Sequence, residues 1–154
     1  MNRLFDEYGL YLAWLVALVA TVGSLYFSEV RHFVPCALCW FQRIFMYPLA
    51  IILGIASFRQ DKGIVKYALP LTALGGATAV YHLLEQNVPG FAAPAMCQIG
   101  VACSGKYINW LGFISIPVLA LTAFVLITVM LVGVALASKA NKTVEVQGQT
   151  QAGF

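Results

Sequence analysis

Charged residues are scarce in this sequence of 154 amino acids. They make up 10% of the chain, against 61% hydrophobic residues and a mean hydropathy of +0.84. A soluble domain is normally about a quarter charged, so the composition excludes an ordinary soluble domain and indicates a chain solvated mostly by lipid. The net charge of +3 is small and its basic residues are scattered, which gives no indication of nucleic-acid binding.

A cleavable signal peptide and an internal repeat are also not indicated. Residues 8–28 contain no charged residue over 21 positions. This run is longer than the apolar core of a signal peptide, and no convincing small-residue cleavage site follows it. Because a helix of this length crosses about 30 Å of hydrocarbon, we expect a retained transmembrane helix.

Apolar segments predict an all-α integral membrane fold, a bundle of four transmembrane helices. We expect the four spans near residues 8–28, 36–58, 67–84 and 113–137. Together they form a membrane domain of residues 1–138, in which a short outer loop between the last two spans carries two cysteines. Residues 139–154 are polar and low in apolar content, which predicts a disordered cytoplasmic tail.

Lysine and arginine are distributed unequally between the two sides of the predicted bundle. Four spans put both termini on one side, and this side carries Arg3, Arg59, Lys62, Lys66, Lys139 and Lys142. The opposite side carries Arg31 and Lys106, with Arg43 inside the bilayer near it. The positive-inside rule therefore predicts that both termini are cytoplasmic. The cysteines then lie outside, where disulfides persist.

The first cysteine pair opens the second span. Pro35 suits the first turn of a helix, and Cys36 and Cys39 follow at a spacing that puts both on one helical face, within reach of a disulfide. A helix N-terminus favours the reactive thiolate, so the pair is interpreted as redox-active. Two other interpretations stay open: two buried small residues, or half of a zinc site completed by Cys97 and Cys103.

The second cysteine pair, Cys97 and Cys103, lies in the long connection after the third span. Five residues separate the two cysteines, and Gly100 between them allows a tight reversal that would close a small ring. One interpretation is a structural staple for a loop without a core of its own. The other is thiol–disulfide exchange with the first pair, which passes oxidation between cysteine pairs without a metal.

These motifs together resemble the DsbB family, and within it most closely the Bacillus-type BdbC branch. The segments that carry the resemblance are residues 35–43 (PCALCWFQR), 82–86 (HLLEQ), 89–91 (PGF) and 103–110 (CSGKYINW). The resemblance covers nearly the whole chain except the tail. Members of this family are bacterial membrane enzymes that oxidise a thioredoxin-like partner and deliver electrons to quinone.

The resemblance implies that all four cysteines are catalytic. Cys36 and Cys39 would be the quinone-coupled pair, with Cys39 nearest the quinone, which is a menaquinone or ubiquinone. Cys97 and Cys103 would meet the partner, a DsbA- or BdbD-type oxidase outside the bacterial cell membrane. No metal is implied. Family members with a long outer loop separate the second pair widely, whereas only five residues intervene here, so their order of internal exchange does not transfer directly.

Two further residues are candidates for cofactor binding. Arg43 matches the family arginine of the quinone site, and a guanidinium inside a membrane is costly without a polar partner. It could hydrogen-bond a quinone oxygen, or it could snorkel to the outer interface. His82 lies near the outer end of the third span. It is interpreted either as a packing residue or as a proton relay or quinone contact.

Two alternative functions stay open. A vitamin K epoxide reductase-like protein would carry its redox pair on a late helix, after the loop pair, and the order here is reversed. A haem-binding membrane subunit would use His32 and His82 as ligands, but this function explains neither cysteine pair.

Overall fold

Helices account for almost all of the chain that the structure describes. The computed structural model describes residues 2–88 and 115–152, with side chains for residues 8–88, 115–140 and 143. No strand occurs within these ranges. The helices are α1 (Asn2–Leu25), α2 (Ala37–Arg59), α3 (Val65–Asn87) and α4 (Ile116–Ala152). A π turn (Tyr26–Val30) continues α1, and a short 3-10 turn (Lys62–Ile64) leads into α3.

Each helix contains a segment long and apolar enough to cross a membrane. These segments are Tyr8–Val30, Ala37–Arg59, Lys62–Asn87 and Ile116–Ala140. The first three contain the predicted spans except Cys36, which immediately precedes α2. The fourth overlaps its predicted span from residue 116 onward, and residues 113 and 114 lie outside the described ranges. The predicted all-α, four-helix membrane fold is therefore confirmed.

The helices form a bundle in which each one packs on two neighbours. α1 and α3 each lie against α2 and α4. The core between them is built from apolar side chains that are almost completely buried, including Leu49, Leu53, Phe124, Ile127 and Leu131. Many large apolar side chains on the outer faces, such as Ile51, Ile55 and Leu136, are exposed. Lipid solvates such a surface, so the outward-facing side chains agree with a membrane setting.

The end of α4 differs from the disordered tail predicted for residues 139–154. The structure continues α4 as a helix to Ala152, well beyond the membrane segment that ends at Ala140. Residues 139–147 contain no proline or glycine and include lysine, alanine, glutamate and glutamine, which are good helix formers. Extending an existing helix avoids the unfavourable nucleation step. Low apolar content therefore did not prevent helix formation here.

Close packing of α3 on α4 depends on a glycine. Gly75 is buried, and a Cβ atom at this position would overlap the ring of Phe124, which is itself fully buried. A Cβ at the neighbouring Gly76 would come no closer than 3.8 Å to Phe124. Small residues allow helix backbones to approach closely in lipid. Gly75 thus fixes the separation of the two helices.

We expect Gly75→Ala to lower the stability of the bundle by about 1–3 kcal/mol, because the added methyl group displaces Phe124 from a well-packed site. The matched control is Gly76→Ala, which adds the same methyl group one position along and gains roughly 0.8–1 kcal/mol of helix propensity. Thermal unfolding of both variants in detergent, followed by circular dichroism, measures the difference. Equal Tm values for the two variants would contradict the close contact.

Candidate active site

The first cysteine pair is positioned by the start of α2. Cys36 is the N-cap residue of this helix, with extended backbone angles (φ −71°, ψ 172°), and its sulfur accepts a hydrogen bond from the Cys39 backbone N–H at 3.4 Å. The sulfur thus takes the place of the oxygen that a serine or aspartate cap supplies. Pro35 immediately precedes the cap and therefore lies outside the first turn of α2, whereas the sequence predicted it inside that turn.

The two sulfur atoms lie side by side at the mouth of the helix. Cys36 Sγ and Cys39 Sγ are 2.9 Å apart, and both residues are free thiols. Cys36 is buried, whereas Cys39 is half-buried. The i, i+3 spacing therefore brings the sulfurs together on one face, as predicted, and a small movement would join them in a disulfide.

His82 reaches the same sulfur from α3. Its Nε2 atom is 3.7 Å from Cys36 Sγ, and its Nδ1 atom is 3.2 Å from the side-chain nitrogen of Gln42. His82 is 1% exposed and Gln42 is 5% exposed, so both polar groups are satisfied away from solvent, as burial requires. The Gln86 side-chain nitrogen also approaches Nε2, at 3.5 Å. His82 is therefore a neighbour of the cysteine pair.

Hydrogen bonds stabilise the thiolate form of Cys36. Cys36 precedes the membrane-spanning segment, and the pKa of its thiol is lowered by the hydrogen bond from the Cys39 side chain, with further contributions from His82 and the Cys39 backbone N–H. Burial of the sulfur opposes this shift but does not cancel it. Because the thiolate is the reactive species, Cys36 is prepared to act as a nucleophile.

A cavity of about 500 Å³ lies beside the cysteine pair, between α1, α2 and the first turns of α4. Its walls are mostly apolar and include Val16, Val19, Phe27, Met46, Leu119 and Phe124. One face of α2 contributes a polar stripe to the wall, made of Cys39, Gln42, Arg43 and Tyr47. These positions recur at three- and four-residue intervals, which places them on one side of the helix.

Arg43 is held at the cavity by a residue of α1. Its Nε atom donates to Ser24 Oγ at 2.9 Å, and its Nη2 atom donates to the Ser24 backbone oxygen at 3.0 Å. The guanidinium also lies 5.4 Å from the ring centre of Trp40, within range of a cation–π interaction. Ser24 lies two residues before the π turn, and such turns occur frequently at functional sites. The sequence predicted that Arg43 needs a polar partner but did not identify Ser24.

Tyr47 brings a second unanticipated polar group to the cavity wall. It lies one turn beyond Arg43, and its hydroxyl is buried without a hydrogen-bond partner among the described residues. Buried hydroxyl groups are nearly always paired, so an orphaned one beside a cavity indicates a place where a ligand could accept a hydrogen bond. Tyr47 lies eight residues after Cys39, a spacing that places both on one face of a helix, and this spacing could have predicted its position from the sequence.

His82 and the second cysteine pair are the predicted site residues that remain. His82 contacts Cys36 and Gln42 but does not line the cavity wall, so its predicted contact with a quinone stays a prediction. Cys97 and Cys103 lie outside the described residues, and the predicted outer-loop pair therefore stays a prediction as well. His32 is exposed in the connection between α1 and α2.

We expect His82→Leu to raise the pKa of Cys36, because it removes a donor beside the thiolate while keeping an apolar side chain of similar size. Loss of one hydrogen bond to a charged group corresponds to about one to two pH units. Alkylation of Cys36 by iodoacetamide across a pH series, quantified by mass spectrometry, should show a midpoint shifted to higher pH. The control His32→Asn changes the exposed histidine to a residue that tolerates its positive φ of 53°. An unshifted midpoint in His82→Leu would show that His82 does not act on the sulfur.

Comparison with known proteins places these residues in context. Residues 7–136 match the family model described as "Disulfide bond formation protein DsbB". The chain is 57% identical over 122 residues to disulfide bond formation protein C of Bacillus subtilis, covering 79% of this chain and 88% of that protein. It is 48% identical over 133 residues to the probable disulfide formation protein of Coxiella burnetii strain RSA 493, covering 86% and 90% of the two chains. No solved structure matches the chain.

Proposed function

Because this chain belongs to the DsbB family of disulfide bond formation proteins, we propose that it is a quinone-dependent thiol–disulfide oxidoreductase of the bacterial cell membrane. Its electron donor is an extracytoplasmic thioredoxin-like oxidase of the DsbA or BdbD type, and its acceptor is menaquinone or ubiquinone. The observation that carries the proposal is the cavity with Cys39 on its wall. A redox-active sulfur there can meet an apolar acceptor dissolved in the membrane.

The cavity fits the chemistry of a quinone. Its volume of about 500 Å³ lies within the range of small-molecule sites, which are apolar with a few convergent polar groups. A quinone ring is flat and apolar with two carbonyl oxygens that only accept hydrogen bonds. Arg43 and Tyr47 offer donors from one side of α2, and the orphaned hydroxyl of Tyr47 is the group that a carbonyl oxygen would satisfy.

The two cysteines have different surroundings at the start of α2. Cys36 faces His82, and Cys39 faces the cavity. Closing the Cys36–Cys39 disulfide from the dithiol releases two electrons and two protons. A bound quinone would supply the two-electron acceptor. Cys39 is the sulfur from which the electrons leave, because it is the one on the cavity wall.

Polar side chains around the cysteine pair stabilise the negative charges that arise during the reaction. In the tautomer with its proton on Nε2, His82 donates to the Cys36 sulfur and stabilises the thiolate before the disulfide closes. Arg43 keeps a fixed positive charge at the cavity wall, where negative charge accumulates during reduction. Its two hydrogen bonds to Ser24 hold the guanidinium in place, so little reorganisation is needed during the reaction. Gln42 lines the cavity and also contacts His82. It therefore connects the cavity wall with the side chain that contacts Cys36.

The loop pair completes the route from the partner. In the proposal the partner dithiol reduces the Cys97–Cys103 disulfide, and the resulting thiols reduce the disulfide between Cys36 and Cys39. Each exchange oxidises one dithiol and reduces one disulfide, so two electrons pass from the partner to the loop pair and then to Cys36 and Cys39. This order requires both pairs on the outer face, with both termini cytoplasmic. The haem-binding and vitamin K epoxide reductase-like alternatives gain no support from the family to which the chain belongs.

We expect quinone to reoxidise the purified protein after reduction by a dithiol, with an apparent KM that depends on the cavity donors. Arg43→Ala removes a charged donor worth about 1.5–3 kcal/mol and should raise this KM roughly ten- to a hundredfold. Tyr47→Phe removes a neutral donor and should raise it roughly two- to tenfold. Stopped-flow absorbance of the quinone measures both effects.

The matched control for Tyr47→Phe is Tyr26→Phe, which removes the same hydroxyl from an exposed tyrosine that does not line the cavity. Its KM should equal that of the parent. Failure of quinone to oxidise the parent dithiol would overturn the proposed function. If the parent is active but both cavity variants keep the parent KM, quinone binds at a different site.

We expect Cys103→Ser to accumulate a mixed disulfide between Cys97 and the thioredoxin-like partner, because the thiol that resolves this intermediate is gone. Cys97→Ser should give no adduct. Both variants are expressed with the partner and analysed on a non-reducing gel, and reductant should dissolve the adduct. Adduct from Cys97→Ser alone would reverse the two roles, and adduct from neither would show that the partner reacts elsewhere.

A further inference from the structure

Three soft metal ligands meet at the start of α2. The sulfurs of Cys36 and Cys39 and a ring nitrogen of His82 all lie within 4.8 Å of one another. The zinc alternative considered from the sequence sought the two missing ligands in the second cysteine pair, Cys97 and Cys103. His82 comes from α3, 43 residues after Cys39 in the sequence, and only the packing of the two helices brings it to the sulfurs.

We propose that the reduced Cys36–Cys39 dithiol, together with His82, binds a thiophilic d¹⁰ cation such as Zn²⁺ or Cd²⁺, and that this binding holds the pair in its reduced state. The inference does not rest on quinone as the acceptor. Binding displaces to solvent the protons that the two sulfurs still carry and forms two metal–sulfur bonds and one metal–nitrogen bond, with no change of oxidation state. A Cys₂His ligand set with one open position is a known arrangement for zinc.

The distances are close to those that a tetrahedral site requires. With metal–sulfur bonds of about 2.3 Å and metal–nitrogen bonds of about 2.0 Å, a sulfur and a nitrogen ligand lie roughly 3.5 Å apart. The Cys36 Sγ to His82 Nε2 distance is 3.7 Å. The two sulfurs are 2.9 Å apart and must open to about 3.7 Å, a movement within reach of a side-chain rotation at half-buried Cys39.

The surroundings favour the metal in two further ways. Two thiolates neutralise a divalent cation, so the complex carries no net charge into a buried, low-dielectric site, where an isolated charge is costly. Gln42 contacts the other ring nitrogen of His82, the position where metal-binding histidines have an orienting partner. When Nε2 binds the metal, Nδ1 carries the proton, and the amide of Gln42 accepts it after rotating its oxygen and nitrogen.

Metal binding would inhibit the protein only when Cys36 and Cys39 are reduced. The dithiol offers two thiolates, whereas the disulfide offers none, so only the reduced protein binds the cation. Electrons that have reached Cys36 and Cys39 then stay there until the metal dissociates. Metal binding would therefore inhibit turnover at the step that closes this disulfide, and excess chelator would reverse the inhibition.

The test uses full-length protein in detergent with Cys97→Ser and Cys103→Ser, so that Cys36 and Cys39 are the only thiols. Cd²⁺ is titrated anaerobically, and the ultraviolet thiolate-to-Cd²⁺ charge-transfer band is followed. We expect one Cd²⁺ per reduced chain and no band after oxidation to the disulfide. His82→Leu should weaken binding at least about tenfold, whereas His32→Asn should bind like the parent.

Zinc-edge X-ray absorption of the reduced protein provides a second measurement that does not depend on the folding of any His82 variant. We expect two sulfur neighbours near 2.3 Å and a nitrogen neighbour near 2.0 Å. Absence of a nitrogen neighbour, equal Cd²⁺ affinity in a folded His82→Leu variant, or an equal band in the oxidised protein would each overturn the proposal. Because none of these readouts involves quinone, failure of the proposed function and failure of the metal site are distinguishable.

Discussion

The N-terminal turn of α2 is the constraint on which the site depends. The Cys36 sulfur occupies the cap position and accepts the backbone N–H of Cys39, so the geometry of the helix end also sets the geometry of the two sulfurs. A helix N-terminus carries a partial positive charge and stabilises an anion. Any change in where α2 begins would therefore alter both the distance between the cysteines and the stability of the Cys36 thiolate.

Burial in an apolar bundle makes the polar side chains near this turn depend on one another. Water cannot satisfy a buried polar group there, so each one must find a partner in the protein or in a ligand. Arg43 uses two of its five N–H donors on Ser24, and His82 contacts Gln42 and Cys36. The Tyr47 hydroxyl lacks such a partner among the described residues. The Tyr47 hydroxyl is therefore a group that a ligand in the cavity could satisfy.

Predictions from sequence succeeded where the signal was local. Charge-free runs of about 20 residues predicted four spans because hydrocarbon thickness sets a minimum helix length, and the C-x-x-C spacing predicted adjacent sulfurs because helical geometry fixes i, i+3 neighbours. Helix boundaries were less accurate: α2 begins at Ala37, and α4 continues to Ala152. Composition alone did not anticipate that a polar segment would extend an existing helix.

Composition and spacing along single helices were enough to predict the membrane setting, the number of helices and two adjacent cysteine sulfurs. Only the packing of different helices brings the other polar groups to these cysteines. Ser24 lies 19 residues before Arg43, and His82 lies 40 residues after Gln42; no periodicity connects positions on different helices. Their contacts arise because α1 and α3 both pack against α2. The sequence alone therefore could not show that Cys39 lies at the cavity and Cys36 beside His82, because both positions depend on how the helices pack.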